Sequence, residues 1–209
     1  MNRTQARGLG WADGRGGVAI RQTGPEDLPA LGDFFAGLSA HTRYLRFFGP
    51  VTPGTTLLRT LCGAADNVDA LVAVRGGVIV GHAMAVDRIE PHNPKGLRGT
   101  RVTDIGVVVD DAWQGRGVGA ALMRALVTGA QARGVTTLEM DVLDGNRQVL
   151  AMVTAHWPAA RVEHNSDGFA IRVRLPQASS QPTAITPQLA RRITLPVPGD
   201  VRRQLRKPG

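Results

Sequence analysis

The sequence has one cysteine and few aromatic residues, and both shortages exclude classes of protein. Cys62 is the only cysteine among 209 residues, so no disulfide can form within the chain. A secreted fold of this size more often carries paired cysteines, which favours a cytoplasmic location. Aromatic residues make up 4% of the chain and hydrophobic residues 43%, so we expect a globular protein with one core of mainly aliphatic side chains.

Long apolar runs and clustered metal ligands are also lacking. No window approaches the roughly twenty apolar residues that a membrane-spanning helix needs, and residues 1–17 contain no apolar stretch typical of a signal peptide. We therefore expect neither a membrane-bound protein nor a membrane partner. The five histidines are scattered without a second ligand at a zinc-like spacing, so no metal is expected either.

Positive charge is plentiful, with a formal net charge of +8, but it lies mostly at the two ends. Residues 1–17 carry a net charge of +2 and residues 176–209 one of +5, which leaves residues 18–175 nearly neutral. We predict a flexible leader at 1–17, one folded domain at 18–175 and a basic tail, rich in Pro and Ser and poorly ordered, at 176–209. A nucleic-acid-binding tail is the weaker interpretation of the same charge.

Within 18–175 the hydrophobic pattern alternates between periods typical of strands and of helices. Strands are predicted at 18–21, on both sides of Arg75-Gly76-Gly77, and at 102–109, 135–142, 160–163 and 169–175. Helices are predicted at 25–37, 40–48, 55–61, 117–132 and 148–156. A strand–helix–strand unit over 102–142 implies parallel pairing, and the hairpins imply antiparallel pairing. The pattern indicates an α/β (α+β) fold with a mixed central sheet of about six to seven strands flanked by helices.

The stretch 102–134, VTDIGVVVDDAWQGRGVGAALMRALVTGAQARG, combines a strand, a glycine-rich loop and a periodic helix. Glycines allow backbone N–H groups to approach a ligand closely, and the start of the helix favours an anion. The loop lacks the G-x-G-x-x-G of dinucleotide sites and the Lys-Ser/Thr pair of a P-loop. Its actual pattern is Q-x-x-G-x-G, with Gln114, Gly117 and Gly119 in the defining places.

Through VVVDDAWQGRGVGAALM, the sequence resembles the GNAT superfamily of acetyl-CoA-dependent N-acetyltransferases over residues 18–175. The resemblance implies the GNAT fold and acetyl-CoA as co-substrate, with the loop amides on the coenzyme pyrophosphate and a strand backbone pairing with the pantetheine arm. The positions implied for coenzyme binding are Val107, Val108, Val109, Gln114, Gly115, Arg116, Gly117, Val118 and Gly119. Asn146, which follows the next strand, is implied as a further coenzyme contact, with a simple helix cap as the alternative.

The segment RYLRFF at 43–48 makes the chain similar, within the superfamily, to the acetyltransferase domains of bacterial protein-lysine acetyltransferases. In that subgroup a glutamate on the central strand commonly acts as the general base. The matching position here is Asp104, whose carboxylate is one methylene shorter, so we expect it to act through a water. The alternative for Asp104 is a strand carboxylate without a catalytic role.

The general acid implied by the resemblance is a tyrosine on the helix after the next strand, and this chain lacks it. Tyr44 is the only tyrosine, and Met152 or Val153 stands near the usual place. Either the thiolate leaves unaided, since a thiol of pKa about 8.5 is a fair leaving group, or another group replaces the tyrosine. His156 is the nearest candidate, with a helix-end histidine as its simpler interpretation.

The resemblance therefore implies transfer of an acetyl group to a primary amine, on a protein lysine or a small molecule, by direct attack on the thioester. A catalytically weak or inactive acyl-CoA-binding regulatory module is the alternative. The expected acceptor groove, between the first two helices and residues 90–100, carries charges of both signs. The sequence does not distinguish acceptors, and it leaves monomer and homodimer equally open.

Overall fold

The computed structural model describes residues 11–13 (backbone only), 17–90 and 99–176. All of them belong to one compact unit, Met1–Gln177. The predicted basic tail, apart from Pro176, and most of the predicted leader lie outside the described residues, and so does the segment 91–98 of the expected acceptor groove.

Strands and helices follow one another in the order that the hydrophobic pattern predicts. The strands are β1 (Trp11–Asp13), β2 (Val18–Gln22), β3 (Val68–Arg75), β4 (Val78–Glu90), β5 (Thr100–Val109), β6 (Thr137–Leu143), β7 (Arg161–Asn165) and β8 (Gly168–Arg174). The helices are α1 (Leu28–Gly37), α2 (Ala40–Phe47), α3 (Thr55–Leu61), α4 (Val118–Ala132) and α5 (Arg147–His156). Single 3-10 turns at Pro25–Asp27 and Asp111–Trp113 precede α1 and the loop before α4.

The strands form one mixed sheet in the order β1-β2-β3-β4-β5-β6-β8-β7. Strands β5 and β6 are parallel, as expected for strands joined through a helix, and the other neighbouring pairs are antiparallel. The predicted α/β fold with a mixed sheet is confirmed. The sheet has eight strands in the described residues, more than the predicted six to seven.

The additional strand is β1, which lies inside the stretch predicted to be a flexible leader. Its three residues pair with β2 from Trp11 opposite Ile20 to Asp13 opposite Val18. A strand of three residues has too few alternating positions to produce a periodic signal. The predicted leader therefore contains a short strand at residues 11–13, and the flexibility of the leader and the domain boundaries stay predictions.

Each face of the sheet is covered by different helices. Helices α1 and α3 pack on one face, which we call the α1–α3 face. There Phe35 of α1 clusters with Val72 of β3 and Val108 of β5. Helix α4 packs on the other face against alternate β5 residues such as Ile105 and Val107, and α5 packs beside it on β6 and β8. Because side chains alternate along a strand, Asp104, Gly106 and Val108 share the α1–α3 face.

Candidate active site

Strands β5 and β6 separate in the middle of the sheet. Their parallel pairing covers three residue pairs and ends at Asp104 opposite Glu139, although β5 continues to Val109 and β6 to Leu143. On its other side β5 stays paired with β4 up to Val109. The backbone from Ile105 to Val109 therefore has a full partner on one side and an open edge toward β6, where an extended ligand arm can add hydrogen bonds.

The glycine loop, residues 114–119, follows the open edge after the single turn Asp111–Trp113. Gly115 and Gly117 have φ angles of 69° and 83°, in the left-handed region where residues with a Cβ are strained. Gly117 is the N-cap of α4, and the first N–H groups of a helix have no partner within the helix. These N–H groups and the positive end of α4 form a site suited to a phosphate.

Side chains of the loop region attach it to α2. The Asp111 carboxylate accepts hydrogen bonds from the backbone N–H of Ser39 at 3.0 Å, from Ser39 Oγ at 2.8 Å and from Thr42 Oγ1 at 2.7 Å. Partial burial raises the pKa of Asp111, but these hydrogen bonds outweigh it and lower the pKa below the usual aspartate value. Gln114 Nε2 donates to Thr42 Oγ1 and to the Val109 carbonyl, each at 3.2 Å.

The Gln114 side chain thus holds the loop and α2 together. The sequence predicted Gln114 as a coenzyme-binding residue, and the structure adds this positioning role. Sequence reasoning missed Asp111 and Thr42 because their partners are about 70 residues away along the chain.

Two guanidinium groups lie over the ring of Trp113, beside the loop. Arg116 Cζ is 5.0 Å from the ring centroid and Arg75 Cζ is 4.9 Å from it. Both arginines are exposed. Cations held at this distance by an aromatic ring keep their charge available to solvent, so the loop end of β5 has an electropositive rim. Arg75 had no signal in the sequence.

Asp104 lies where β5 and β6 separate, with 20% of its side chain exposed. Its Oδ2 accepts a hydrogen bond from Arg88 Nε at 3.1 Å. Burial raises the pKa of Asp104 above the usual aspartate value, and this effect exceeds the opposing effect of the Arg88 charge. Asp104 is therefore a better proton acceptor than an exposed aspartate, in a position next to the open edge.

A charged cluster surrounds Asp104 on the α1–α3 face. Its members are Arg88, Glu90, Asp104, Glu139 and Arg172, from strands β4, β5, β6 and β8. Arg88 bridges Asp104 to Glu139, and Arg172 bridges Glu139 at 2.9 Å to Glu90. Three carboxylates face two guanidinium groups, and the exposed Asp141 also raises the pKa of Asp104 through its charge. The net negative charge favours a cationic amine near Asp104.

Arg46 of α2 approaches the same face from the other side. A Cβ on Gly106 would lie 2.8 Å from Arg46 Cζ, so the guanidinium rests on the backbone of Gly106. Arg46 also lies 5.2 Å from the centroid of the Phe47 ring. Its Nε is fully buried and has no hydrogen-bond partner in the described part of the chain. Sequence reasoning counted Arg46 among the groove charges but gave it no role.

The other predicted residues have defined positions. Val107 and Val109 pack beneath α4, while Val108 is buried on the α1–α3 face, so their backbone rather than their side chains faces the open edge. Asn146 caps α5, where its Oδ1 accepts from the Val149 N–H at 3.4 Å. The structure thus shows Asn146 as a helix cap. Its contact with the coenzyme stays a prediction.

His156, the candidate for the general acid, and Tyr44, the only tyrosine, both lie away from the part of the α1–α3 face that carries Asp104. Tyr44 is 48% exposed on α2, and it lies two residues from Arg46, which places it on the opposite side of the helix from the sheet. His156 ends α5, with its Nδ1 at 3.2 Å from the Met152 carbonyl. It borders a groove of about 170 Å³ against α4, lined also by Met123, Arg124, Val127, Thr128 and Trp157, on the far side of the sheet.

Residues 17–90 and 99–176 contain no group of three or more His, Cys, Asp or Glu side chains placed to hold a metal ion. In the same part of the chain, every helix is too short or too polar to cross a membrane.

The family follows from comparison with known proteins. Residues 40–156 match the model of the Acetyltransferase (GNAT) family. This range contains α2, β5, the glycine loop, α4 and β6, and it is more than half of the 209 residues. The chain belongs to the GNAT acetyltransferase family. A search of curated proteins found no match to the chain.

Solved structures share the fold. The GNAT domain of S. lividans PAT is 22% identical, with 76% of this chain and 90% of that chain covered and a TM-score of 0.65. Ribosomal-protein-alanine N-acetyltransferase from Brucella melitensis is 21% identical, covering 75% and 99%, with a TM-score of 0.58. PaiA N-acetyltransferase from Thermoplasma acidophilum, solved with coenzyme A, is 12% identical, covering 76% and 99%, with a TM-score of 0.57.

At these identities the likeness shows the fold alone. The similarity to the S. lividans PAT domain is consistent with the resemblance that RYLRFF indicates, and the predicted GNAT fold is confirmed.

Proposed function

We propose that this protein is an acetyl-CoA-dependent N-acetyltransferase that acts on a primary amine. The observation that supports this most directly is the open edge of β5 next to the glycine loop. The loop offers N–H groups and a helix N-terminus to the pyrophosphate, with the predicted contacts from Gln114 to Gly119. The unpaired backbone of Val107 to Val109 then pairs with the pantetheine arm, which brings the thioester to the level of Asp104 and Gly106.

Asp104 acts as the general base. The acceptor amine enters over the charged cluster, whose net negative charge attracts it, and loses a proton to an Asp104 carboxylate oxygen, directly or through one water. The neutral amine nitrogen then forms a bond to the thioester carbonyl carbon, the C–S bond breaks, and the nitrogen releases its second proton to solvent to give the neutral amide. Arg88 holds Asp104 in place through its Nε hydrogen bond, which leaves the other carboxylate oxygen for the proton.

The departing thiolate takes its proton from solvent. A thiol of pKa about 8.5 leaves without a dedicated acid near neutral pH. This agrees with the positions of Tyr44 and His156, neither of which lies near Asp104. The acceptor class, a protein lysine or a small amine, and the cytoplasmic location belong to the same proposal, as does a monomeric or homodimeric state.

A second candidate function is an acyl-CoA-binding regulatory module without turnover. The specific observation that favours it is the same lack of a tyrosine beside Asp104, together with aspartate where the subgroup commonly has glutamate. The two candidates differ in one respect: the module binds acetyl-CoA and releases no thiol with any amine. The basic tail offers a third, weaker candidate, nucleic-acid binding, which predicts steeply salt-dependent affinity that is lost on deletion of 176–209.

The experiment that tests the proposal is mass spectrometry of acetylated products. The purified chain is incubated with acetyl-CoA and either an amine library or cell lysate. We expect a mass increase of one acetyl group on at least one amine, and we expect the increase to disappear with Asp104→Asn. Saturable binding without any product would support the regulatory module, and absence of binding would reject both.

A further inference from the structure

Arg46 is a cation in an apolar place. Its Nε is buried without a hydrogen-bond partner in the part of the chain that the structure describes, and its guanidinium lies against Gly106 and over the Phe47 ring. Burial lowers the pKa of Arg46 to about 10, and no carboxylate opposes this change. The group remains charged at neutral pH, and a partly desolvated charge without a counter-ion in the described residues is costly to a fold.

His82 does not supply the missing counter-charge. Its Nε2 donates to the Leu61 carbonyl at 2.8 Å, and the ring is completely buried. Burial first, and the Arg46 charge second, lower the pKa of His82 to about 3, so the ring is neutral. The undescribed segment 91–98, PHNPKGLR, contains no Asp or Glu. In residues 17–90 and 99–176, no acidic side chain pairs with Arg46.

Several contacts hold Arg46 at this position. Thr42 and Arg46 are four residues apart and share one side of α2. Thr42 is bound by Asp111 and Gln114, so the loop that precedes α4 also sets the position of Arg46. The absence of a side chain at Gly106 leaves the room that the guanidinium occupies. The cation is therefore built into the site, at the level where the thioester is proposed to lie.

The Arg46 guanidinium lies against Gly106, which is on the same face of β5 as Asp104 and two residues further along the strand. Two residues span about 7 Å in a strand. One charged partner stands at each end of this interval, a carboxylate for an ammonium or amine and a guanidinium for an anion. An α-amino acid, whose amine and carboxylate are attached to one carbon, fits such an interval with a hydrogen bond of about 2.8 Å at each end.

We propose that Arg46 binds a carboxylate of the acceptor, so that the acceptor is an amino acid or a close derivative whose amine faces Asp104. This inference rests on the proposed function and adds the substrate class to it. The guanidinium forms charge-assisted hydrogen bonds to the carboxylate. The bound amine then lies between the thioester and Asp104, and the proton passes to Asp104 as described above. Arg46 takes no part in the proton transfer.

The test compares each common amino acid with its own carboxamide as acceptor, using thiol release from acetyl-CoA. The amide keeps the amine and removes the negative charge. We expect at least one amino acid to exceed its amide in kcat/KM by about 10- to 100-fold, the value of a hydrogen bond to a charged group. In Arg46→Gln this ratio falls to about one, mainly through KM of the amino acid, while KM for acetyl-CoA is unchanged.

Two further variants separate charge from fold. Gly106→Ala leaves Arg46 in the sequence but displaces its guanidinium, because the new Cβ would lie 2.8 Å from Cζ. We expect the ratio of kcat/KM between the amino acid and its amide to fall to about one in this variant too. Arg59→Gln removes an exposed charge from α3 and should keep the wild-type ratio. Where no turnover is seen, calorimetry of N-acetyl amino acids and their amides against the protein saturated with coenzyme A gives the same ratio as affinities.

Equal use of amino acids and amides overturns the proposal. An equal loss of kcat/KM for amino acids and amides in Arg46→Gln also overturns it, because that result indicates a role at the oxyanion or in the fold. A preference for succinyl-CoA over acetyl-CoA with neutral amines overturns it as well, because that result places the carboxylate on the acyl chain. If coenzyme A itself does not bind, the proposed function fails as well. If coenzyme A binds and the carboxylate is ignored, only this inference fails.

Discussion

The C-terminal end of β5 and its middle provide ligand contacts in different ways. At the end, one contiguous stretch, the glycine loop and the start of α4, offers backbone groups to an anion. In the middle, Asp104 and Gly106 contact side chains of β4 and α2, and the charged cluster extends from Asp104 through Arg88 to β6 and β8. The contrast shows that the coenzyme half of the site depends on local conformation, whereas the acceptor half depends on the tertiary fold.

The largest expected effect is in the middle of β5. Asp104→Asn should lower kcat by about 100- to 10,000-fold, the usual contribution of a general base, and leave the affinity for acetyl-CoA unchanged. Steady-state thiol release and calorimetry measure the two quantities separately. Glu163→Gln, on the exposed strand β7, is the matched control. Full turnover in Asp104→Asn would remove Asp104 from the mechanism.

At the end of β5, Gly117→Ala should weaken acetyl-CoA binding by about tenfold. Gly117 has φ 83°, and an alanine there costs about 1–2 kcal/mol in the left-handed region or forces the loop to change shape. The control is Gly145→Ala, because Gly145 lies in a turn, does not have a positive φ, and has open space around its Cβ position. Equal affinities for the two variants would show that the loop conformation is not needed for binding.

The pH dependence tests the link between Asp104 and its cluster. The pKa of Asp104 is raised by burial and partly restored by Arg88. The protonated carboxyl group cannot accept a proton, so kcat/KM falls as the pH drops through this pKa, above the ordinary aspartate value of about 3.9. Arg88→Gln removes the restoring charge and should move this acid limb to higher pH. A limb that stays in place would show that another group controls it.

A smaller effect concerns the connection between the two regions. Asp111→Asn weakens the hydrogen bonds to Ser39 and Thr42 and should lower the free energy of unfolding by about 1 kcal/mol or less at pH 7, since the group is exposed. The folded-state pKa of Asp111 is lowered, so its contribution is present above the unfolded-state pKa and lost as pH falls through the folded-state value. Urea unfolding should therefore show a difference from wild type at pH 7 that disappears in acid.

The end of β5 could be predicted from the sequence better than its middle. The glycine loop, α4 and β5 were predictable, because left-handed glycines, a helical apolar period and a strand lie within the 33 residues of 102–134. Asp104 was predictable only through the resemblance, since a single aspartate in a strand has no pattern of its own. The strand β1 was missed because three residues give no period.

The positions of Arg46 and of the charged cluster could not be predicted, because they depend on strand register and on contacts between distant parts of the chain. Arg88 reaches Asp104 and Glu139 since β4 pairs with β5 antiparallel and β5 with β6 parallel. Arg46 reaches Gly106 since Asp111, in a turn some 70 residues away in sequence, fixes the start of α2. A change of one residue in any of these pairings would move the side chains to the other face of the sheet.

The most direct test of the account is calorimetric titration of acetyl-CoA into the wild-type chain and into Asp104→Asn, with thiol release measured in the same samples after amine is added. The account predicts saturable binding of equal affinity in both proteins, with thiol release by the wild type and a loss of at least about 100-fold in the variant. Absence of saturable binding by the wild-type chain would contradict the account at its centre.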